Sequence, residues 1–172
     1  MKKQLETKKK AQKIFDKSAA LIPLAIQEFS QLRNEGCIYI DKTKSILKML
    51  SLRRVYFLSR PRRFGKSLLI STLDSLFRGE KQLFKGLYIY DKWDWSETYN
   101  VIRLDFTLEA MSTPQELRDG LAQTLNDIAA ANAITLNSSS LPKIFFELIK
   151  KLYELNGRQI VILVDEYDLP IL

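Results

Sequence analysis

The amino-acid sequence predicts an α/β fold in which a parallel sheet is flanked by helices. Two observations lead to this prediction. Short runs rich in β-branched and aromatic residues, typical of buried strands, recur along the chain. Segments with helical periodicity lie between them, and strands separated by helices favour a parallel sheet.

The elements are predicted in the following order. A short helix over 24–34 ends before Gly36, and a helix capped by Asp41 or Thr43 extends to about residue 51. A helix from about residue 67 ends at Gly79. The sequence Thr113-Pro114-Gln115-Glu116 predicts a capping box, and a further helix opens at Ser140 and Pro142 and closes at Gly157. Strands are predicted at 38–40, 55–58, 101–106 and 160–164.

Histidine is absent from the 172 residues, and cysteine occurs once, as Cys37. A Ser-His-Asp triad, a Cys-His nucleophile pair and a histidine-ligated zinc or iron site are therefore excluded within this chain. One cysteine cannot form an internal disulfide, so the sequence gives no sign of an oxidising compartment. The length suits one domain with a hydrophobic core.

The net charge of +7 is concentrated in two basic segments, because residues 1–17 carry a net +5 and residues 53–66 a net +6. Residues 1–18 are interpreted as a solvated basic lead-in to a domain spanning 19–172, although such runs also contact nucleic acid or anionic lipid. No stretch reaches the roughly 20 apolar residues that cross a bilayer, and no secretory signal follows the lysines. We therefore expect no membrane partner and a cytoplasmic location.

Residues 55–68 show the order strand, tight loop, Gly-Lys-Ser and helix that is typical of a phosphate-binding P-loop. Gly65 permits the turn that points successive N–H groups inward, and the helix that follows adds its N-terminal dipole. Lys66 is suited to reach the β- and γ-phosphates, and the Ser67 hydroxyl is suited to ligate Mg²⁺. Arg60 replaces the usual first glycine, so a basic surface loop with an incidental Gly-Lys-Ser is the alternative.

Residues 160–166 form a second motif, an apolar strand that ends in two carboxylates, which is the Walker B pattern. Asp165 is suited to hold Mg²⁺ through water. Glu166 is then suited to act as general base toward the attacking water. A strand followed by a solvated turn is the alternative, which becomes weaker because the loop lies about a hundred residues upstream.

Other candidates carry weaker signals. Asp105 ends a strand and could face the same crevice, although a turn or helix cap is the favoured role. Ile38 and Tyr39 could border an adenine pocket, and Cys37 has no histidine to activate it. Core or edge packing is favoured over base stacking for four aromatic residues: Tyr88, Tyr90, Trp93 and Trp95.

Five segments together resemble the AAA-ATPase-like family: 21–29, 39–43, 57–67, 104–106 and 164–168. The resemblance covers about residues 20–172. The string Ser-Arg-Pro-Arg-Arg-Phe-Gly-Lys-Ser is highly specific, and it makes Arg60 the family's own form of the loop. The resemblance implies a P-loop NTPase fold that uses ATP and Mg²⁺.

Members of this family commonly carry the P-loop domain in front of a PD-(D/E)XK nuclease-like domain, so nucleic acid is an implied partner through that domain. P-loop domains of this class usually build five strands, and three buried strands are predicted before Leu172. We therefore expect an incomplete fold that lacks its C-terminal strands, is truncated after Walker B, and is unstable or weakly active alone. Oligomers are compatible with the resemblance.

The leading hypothesis is an ATP-binding AAA-like ATPase domain. Glu166 and Lys66 are its predicted catalytic residues, and Ser67 and Asp165 its predicted metal ligands. The predicted nucleotide-binding residues are Arg62, Arg63, Phe64, Gly65, Lys66, Ser67 and Leu68. A nucleic-acid-binding module, with the basic segments on phosphates, is the alternative from another class. A remnant that binds nucleotide without hydrolysis is the third hypothesis.

Overall fold

A parallel sheet of two strands lies at the centre of the described part of the chain. Strand β1 (Asn100–Asp105) pairs with β2 (Ile160–Asp165) in a register that places Asp105 beside Asp165. This computed structural model describes residues 21–23, 25–52, 55–59, 61, 64–106 and 113–167. The predicted α/β class, the parallel pairing and the flanking helices are confirmed.

Five α-helices and one 3₁₀-helix accompany the sheet within the described ranges. In chain order they are α1 (Phe29–Asn34), α2 (Thr43–Leu50), α3 (Lys66–Phe77), the 3₁₀-helix Lys81–Phe84, α4 (Pro114–Ala131) and α5 (Leu141–Asn156). None of these helices combines the length and apolarity that a membrane span requires.

Each face of the sheet is covered by its own apolar cluster. On one face, Val101 and Leu163 pack with Leu76 of α3. On the other face, Ile102 packs with Leu148 of α5 and with residues of α4. Because side chains alternate along a strand, the last residue of each strand lies on the same face as α3.

Local sequence signals explain where several helices begin and end. The N–H of Glu116 donates to Thr113 Oγ1 at 3.2 Å, and the N–H of Thr113 donates to Glu116 Oε2 at 3.0 Å. The predicted capping box is therefore confirmed, with Pro114 in the first helical position. Helix α3 ends just before Gly79, whose φ of +76° is the left-handed conformation of a helix stop.

The strands predicted at 38–40 and 55–58 are wrong. Around the first, the structure has only an isolated bridge between Leu21 and Cys37. Residues 55–58 form no ladder, and Val55 is 84% exposed and Phe57 71% exposed. Apolar composition is not enough to make a strand, because an extended segment also needs a neighbour to receive its backbone hydrogen bonds.

The first predicted helix is shorter than expected and begins at Phe29 instead of residue 24. Ala25 has a φ of +57° and Glu28 is extended, so a right-handed helix cannot pass through this segment. The other predicted helices and the strands at 101–106 and 160–164 are confirmed, with small differences at their ends.

Tyr90, Trp93 and Trp95 pack against the core, as favoured from the sequence, whereas Tyr88 is 40% exposed. The Phe77 ring lies 6.0 Å from Trp93 and 5.1 Å from Tyr99, both edge to face. Trp95 donates its indole N–H to the carbonyl oxygen of Tyr90 at 2.7 Å. These rings stabilise the segment that leads into β1.

Candidate functional site

The loop before α3 ends at Gly65, which occupies the N-cap position of that helix. Gly65 has a φ of +74°, a left-handed conformation that favours glycine, and no side chain caps the helix here. A Cβ on Gly65 would meet no atom within 4 Å, so the space beside the loop is open. Uncapped N–H groups at the positive end of a twelve-residue helix are suited to bind an anion.

Lys66 begins α3 and points toward the carboxyl end of β2. Its Nζ lies 3.7 Å from Oε1 of Glu166, and the two side chains are 16% and 17% exposed. The structure thus brings the two predicted catalytic residues into one ion pair. Helix α3 packs on both strands, which explains why its first turn reaches the strand ends.

Asp165 is 3% exposed and has only one of its two carboxylate oxygens satisfied. Its Oδ1 accepts from the N–H of Glu166 at 3.0 Å. Its Oδ2 is buried without a hydrogen-bond partner among the described residues. A buried, unpaired carboxylate oxygen is costly unless it receives a donor or a cation, so Asp165 fits a metal ligand.

Glu166 has a φ of +50°, an uncommon conformation for a residue with a side chain. Such outliers are concentrated at functional sites, where the surrounding structure compensates for their cost. Here the turn separates the two carboxylates: Asp165 is enclosed within the fold and Glu166 reaches Lys66.

No group of three or more aspartate, glutamate or cysteine side chains forms a metal site within the described ranges. A divalent cation here would therefore need ligands from a bound phosphate in addition to protein oxygens. Ser67 follows Lys66 in the first turn of α3 and is half-buried. Mg²⁺ is often bound in this shared way, by one or two protein oxygens together with substrate phosphates.

The remaining predicted site residues differ in position. Leu68 is half-buried in the first turn of α3, whereas Phe64 is 64% exposed. Asp105 is half-buried and is the register partner of Asp165 at the carboxyl end of the sheet. Several predicted arginines lie outside the described residues: Arg53, Arg54, Arg60, Arg62 and Arg63.

Tyr39 packs into the fold near the middle of α3. Its ring lies 5.1 Å from that of Phe29, and burial raises the pKa of its hydroxyl. Thr72, which hydrogen-bonds with this hydroxyl, is in the second turn of α3. Ile38 is 48% exposed, and Cys37 is a buried free thiol whose N–H donates to the carbonyl oxygen of Leu32 at 3.0 Å.

Comparison with known proteins identifies the family. Residues 23–172 match the family model described as predicted AAA-ATPase. This chain belongs to the AAA-ATPase-like family. The resemblance inferred from the sequence is therefore confirmed, whereas the nuclease-like domain stays a prediction.

The AAA-ATPase-like chain is also 41% identical over 154 residues to a protein of Azotobacter chroococcum mcd 1, named "Uncharacterized protein in vnfD 5′ region". The match covers 88% of this chain and 30% of the relative, so the chain spans under a third of that protein's length. No solved structure matches the chain.

One charged network in this AAA-ATPase-like chain was not predicted from the sequence. Glu28, before α1, accepts hydrogen bonds from Arg103 of β1 and from Ser71 of α3. Arg103 could have indicated such a network, because a charged residue inside an apolar strand needs a partner of opposite charge. Its partner was beyond local reasoning, since it lies 75 positions away.

Proposed function

We propose that residues 19–172 of this AAA-ATPase-like protein form a P-loop NTPase domain that binds Mg²⁺-ATP and hydrolyses it at the loop before α3. Residues 1–18 would be its basic lead-in. The observation that carries the proposal is the Lys66–Glu166 ion pair of 3.7 Å. It brings together the lysine of a Gly-Lys-Ser loop and the acid that follows an apolar strand, the two groups to which the proposal assigns the phosphates and the attacking water.

Nucleotide binding uses the open loop and the positive end of α3. The left-handed Gly65 and the uncapped N–H groups support phosphate binding by the backbone. Lys66 supplies a compact positive charge toward the β- and γ-phosphates. The proposed binding segment is 62–68, with Arg62, Arg63 and Phe64 on the loop side and Ser67 and Leu68 on the helix side.

Ser67 and Asp165 are the proposed protein ligands of Mg²⁺. The unpaired Oδ2 of Asp165 supports this assignment, because it is a buried carboxylate oxygen without a donor among the described residues. The cation, when bound, would neutralise charge that develops on the phosphate oxygens. Ser67 supplies a neutral oxygen from the α3 side and Asp165 a charged one from the β2 side.

Glu166 is the proposed general base. Its carboxylate accepts a proton from the water that attacks the γ-phosphorus, while the bond from that phosphorus to the β–γ bridging oxygen breaks. The products are ADP and inorganic phosphate. Glu166 is paired with Lys66, so a phosphate that binds Lys66 would replace the carboxylate as its partner.

The test is nucleotide binding by a Lys66→Ala variant, measured by titration calorimetry with Mg²⁺-ATP. We expect affinity to fall by about a hundredfold or more, because a charge-assisted contact to phosphate is lost. Lys150→Ala is the matched control. Lys150 is also paired with a glutamate at 3.7 Å, but it lies on α5, away from the loop.

Unchanged affinity of Lys66→Ala would exclude the proposed site. An equal loss in Lys66→Ala and Lys150→Ala would assign the effect to net charge instead of position. Phosphate release measured on the same samples separates an ATPase from a domain that binds nucleotide without turnover.

A further inference from the structure

The carboxylate of Glu28 connects three separate parts of the fold. The guanidinium of Arg103 donates to both of its oxygens, at 3.0 Å to Oε2 and 2.7 Å to Oε1. The Ser71 hydroxyl donates to Oε2 at 2.8 Å and accepts from the N–H of Phe29 at 2.7 Å. The segment before α1, the helix α3 and the strand β1 are therefore joined by one hydrogen-bonded network.

This network lies next to the candidate site along both α3 and β1. Ser71 follows Ser67 by four residues, which places both hydroxyls on the same face of α3. Arg103 precedes Asp105 by two residues, so both lie on the face of β1 that α3 covers. Asp105 in turn is the register partner of Asp165.

The geometry indicates a specific pair rather than an incidental surface contact. The two parallel hydrogen bonds match the fork of a guanidinium to a carboxylate, which is the most directional form of ion pair. The Arg103 side chain is 20% exposed and that of Glu28 is 47% exposed, so the guanidinium is mostly enclosed and its partner reaches it from the edge of the fold. The hydrogen bonds from Arg103 lower the pKa of Glu28, so the pair is charged at neutral pH.

We propose that Glu28 is a positioning residue for the nucleotide site, which sets the separation between Ser67 on α3 and Asp165 on β2 by joining α3 to β1. The inference rests on the proposed function, because these two residues are the proposed Mg²⁺ ligands. Mg²⁺ demands near-ideal geometry at short distances, so a small shift of α3 should weaken metal binding. The loop N–H groups and Lys66 lie in one continuous segment at the start of α3, so phosphate binding without the metal should depend less on that separation.

The predicted effect of weakening this network is therefore a smaller gain in ATP affinity when Mg²⁺ is added. In Glu28→Gln, which keeps the size of the side chain but removes its charge, we expect the gain in ATP affinity on adding Mg²⁺ to fall by about tenfold. Affinity in EDTA should stay within about twofold of the wild type. Glu147→Gln is the matched control, because Glu147 is also ion-paired and hydrogen-bonded but lies on α5.

A second variant separates positioning from general stability. Arg103→Lys keeps the positive charge but loses the two-pronged contact. We expect it to melt close to the wild type and still to show a reduced Mg²⁺ gain. The inference is overturned if both variants keep the full gain, or if the gain follows the melting temperature in every variant.

Amide hydrogen exchange, measured without added nucleotide, tests the inference independently of ATP binding. Positioning predicts faster exchange in the amides of 69–73 of α3 in Glu28→Gln but not in Glu147→Gln. Unchanged exchange there overturns the inference even if ATP binds. Failure of the wild type to bind ATP would overturn the proposed function, while the exchange result still decides whether Glu28 positions α3.

Discussion

Two apolar runs of similar composition occupy different environments in this protein. Residues 160–164 form most of β2, where Leu163 is 7% exposed and packs beneath α3. Residues 55–58, with one β-branched and two aromatic residues, are also a short apolar run that predicts a strand, yet Val55 is 84% exposed and no ladder includes them. Both runs are apolar, but their environments differ.

The difference lies in the neighbours of each run. Strand β2 pairs with β1 along its whole length, and α3 covers one of its faces. In residues 55–58, exposure is higher at Val55 and Phe57 than at Tyr56 and Leu58, as along an extended chain without a sheet. One contact links the regions, because the ring of Phe57 lies 5.1 Å from that of Tyr167, two residues beyond β2.

The two sides of the candidate site come from these two different regions. The acids come from the end of the well-packed run, and the loop follows the exposed one. Lys66 joins the two sides because α3, which begins there, is packed on the sheet. The proposed ATP hydrolysis therefore depends more on the packing of α3 and β2 than on residues 55–58.

The largest effect is expected from a charge placed in each run. Leu163→Asp should destabilise the protein by about 4 kcal/mol, because it buries an unpaired carboxylate beneath α3. Val55→Asp should change stability by no more than about 0.5 kcal/mol, because that side chain is already in solvent. Urea unfolding followed by circular dichroism measures both, and equal losses would mean that 55–58 is buried in solution.

Glu166→Gln tests the chemistry at the end of β2. We expect turnover to fall by about a hundredfold or more, because the amide cannot accept the proton from water. ATP affinity should rise by about threefold, since a neutral side chain no longer competes with phosphate for Lys66. Steady-state phosphate release and calorimetry give the two values.

Glu154→Gln, which removes the partner of Lys150 on α5, is the control and should change neither turnover nor affinity. A Glu166→Gln variant that keeps full turnover would remove Glu166 from the role of base. Affinity that falls instead of rising would mean that the Lys66 pair supports the nucleotide site rather than opposing it.

Sequence reasoning succeeded where the signal was local. The Thr113–Glu116 capping box and the turn at Gly79 were confirmed because caps depend on neighbouring residues. The strand predicted at 160–164 was also confirmed, because this apolar run has β1 as a pairing partner. The strand predicted at 55–58 was wrong, because the presence of a partner is not encoded in the run itself.

The candidate site follows the same rule. The motifs were sufficient to expect Lys66 and Glu166 near each other, and the structure pairs them. Glu28 was missed because its contact to Arg103 spans 75 positions and depends on how α3 lies on the sheet. The left-handed turn at Glu166 was also unexpected, because no glycine or asparagine marks it.

The smallest predicted effect concerns α5, the helix that leads into β2. Lys151 and the Ser138 hydroxyl lower the pKa of Glu147 from 4.5 to about 2, and the N–H groups of Asn137 and Ser138 also donate to it. A carboxylate with a lowered pKa stabilises the fold above its ordinary value, and this contribution is lost as the pH falls from about 4.5 toward about 2. The stability of α5, and of β2 which follows it, should therefore decrease as the pH falls. No such dependence is expected for residues 55–58.

Glu147→Gln removes that dependence. We expect the difference in melting temperature between the wild type and this variant to be about 2 °C at neutral pH, in favour of the wild type, because the ion pair is near the surface. Most of the difference should be lost by about pH 2, where about half of the wild-type carboxyl is protonated. Calorimetric melting at several pH values measures it. A difference that stays constant down to pH 2 would mean that Glu147 stabilises α5 through packing and not through its charge.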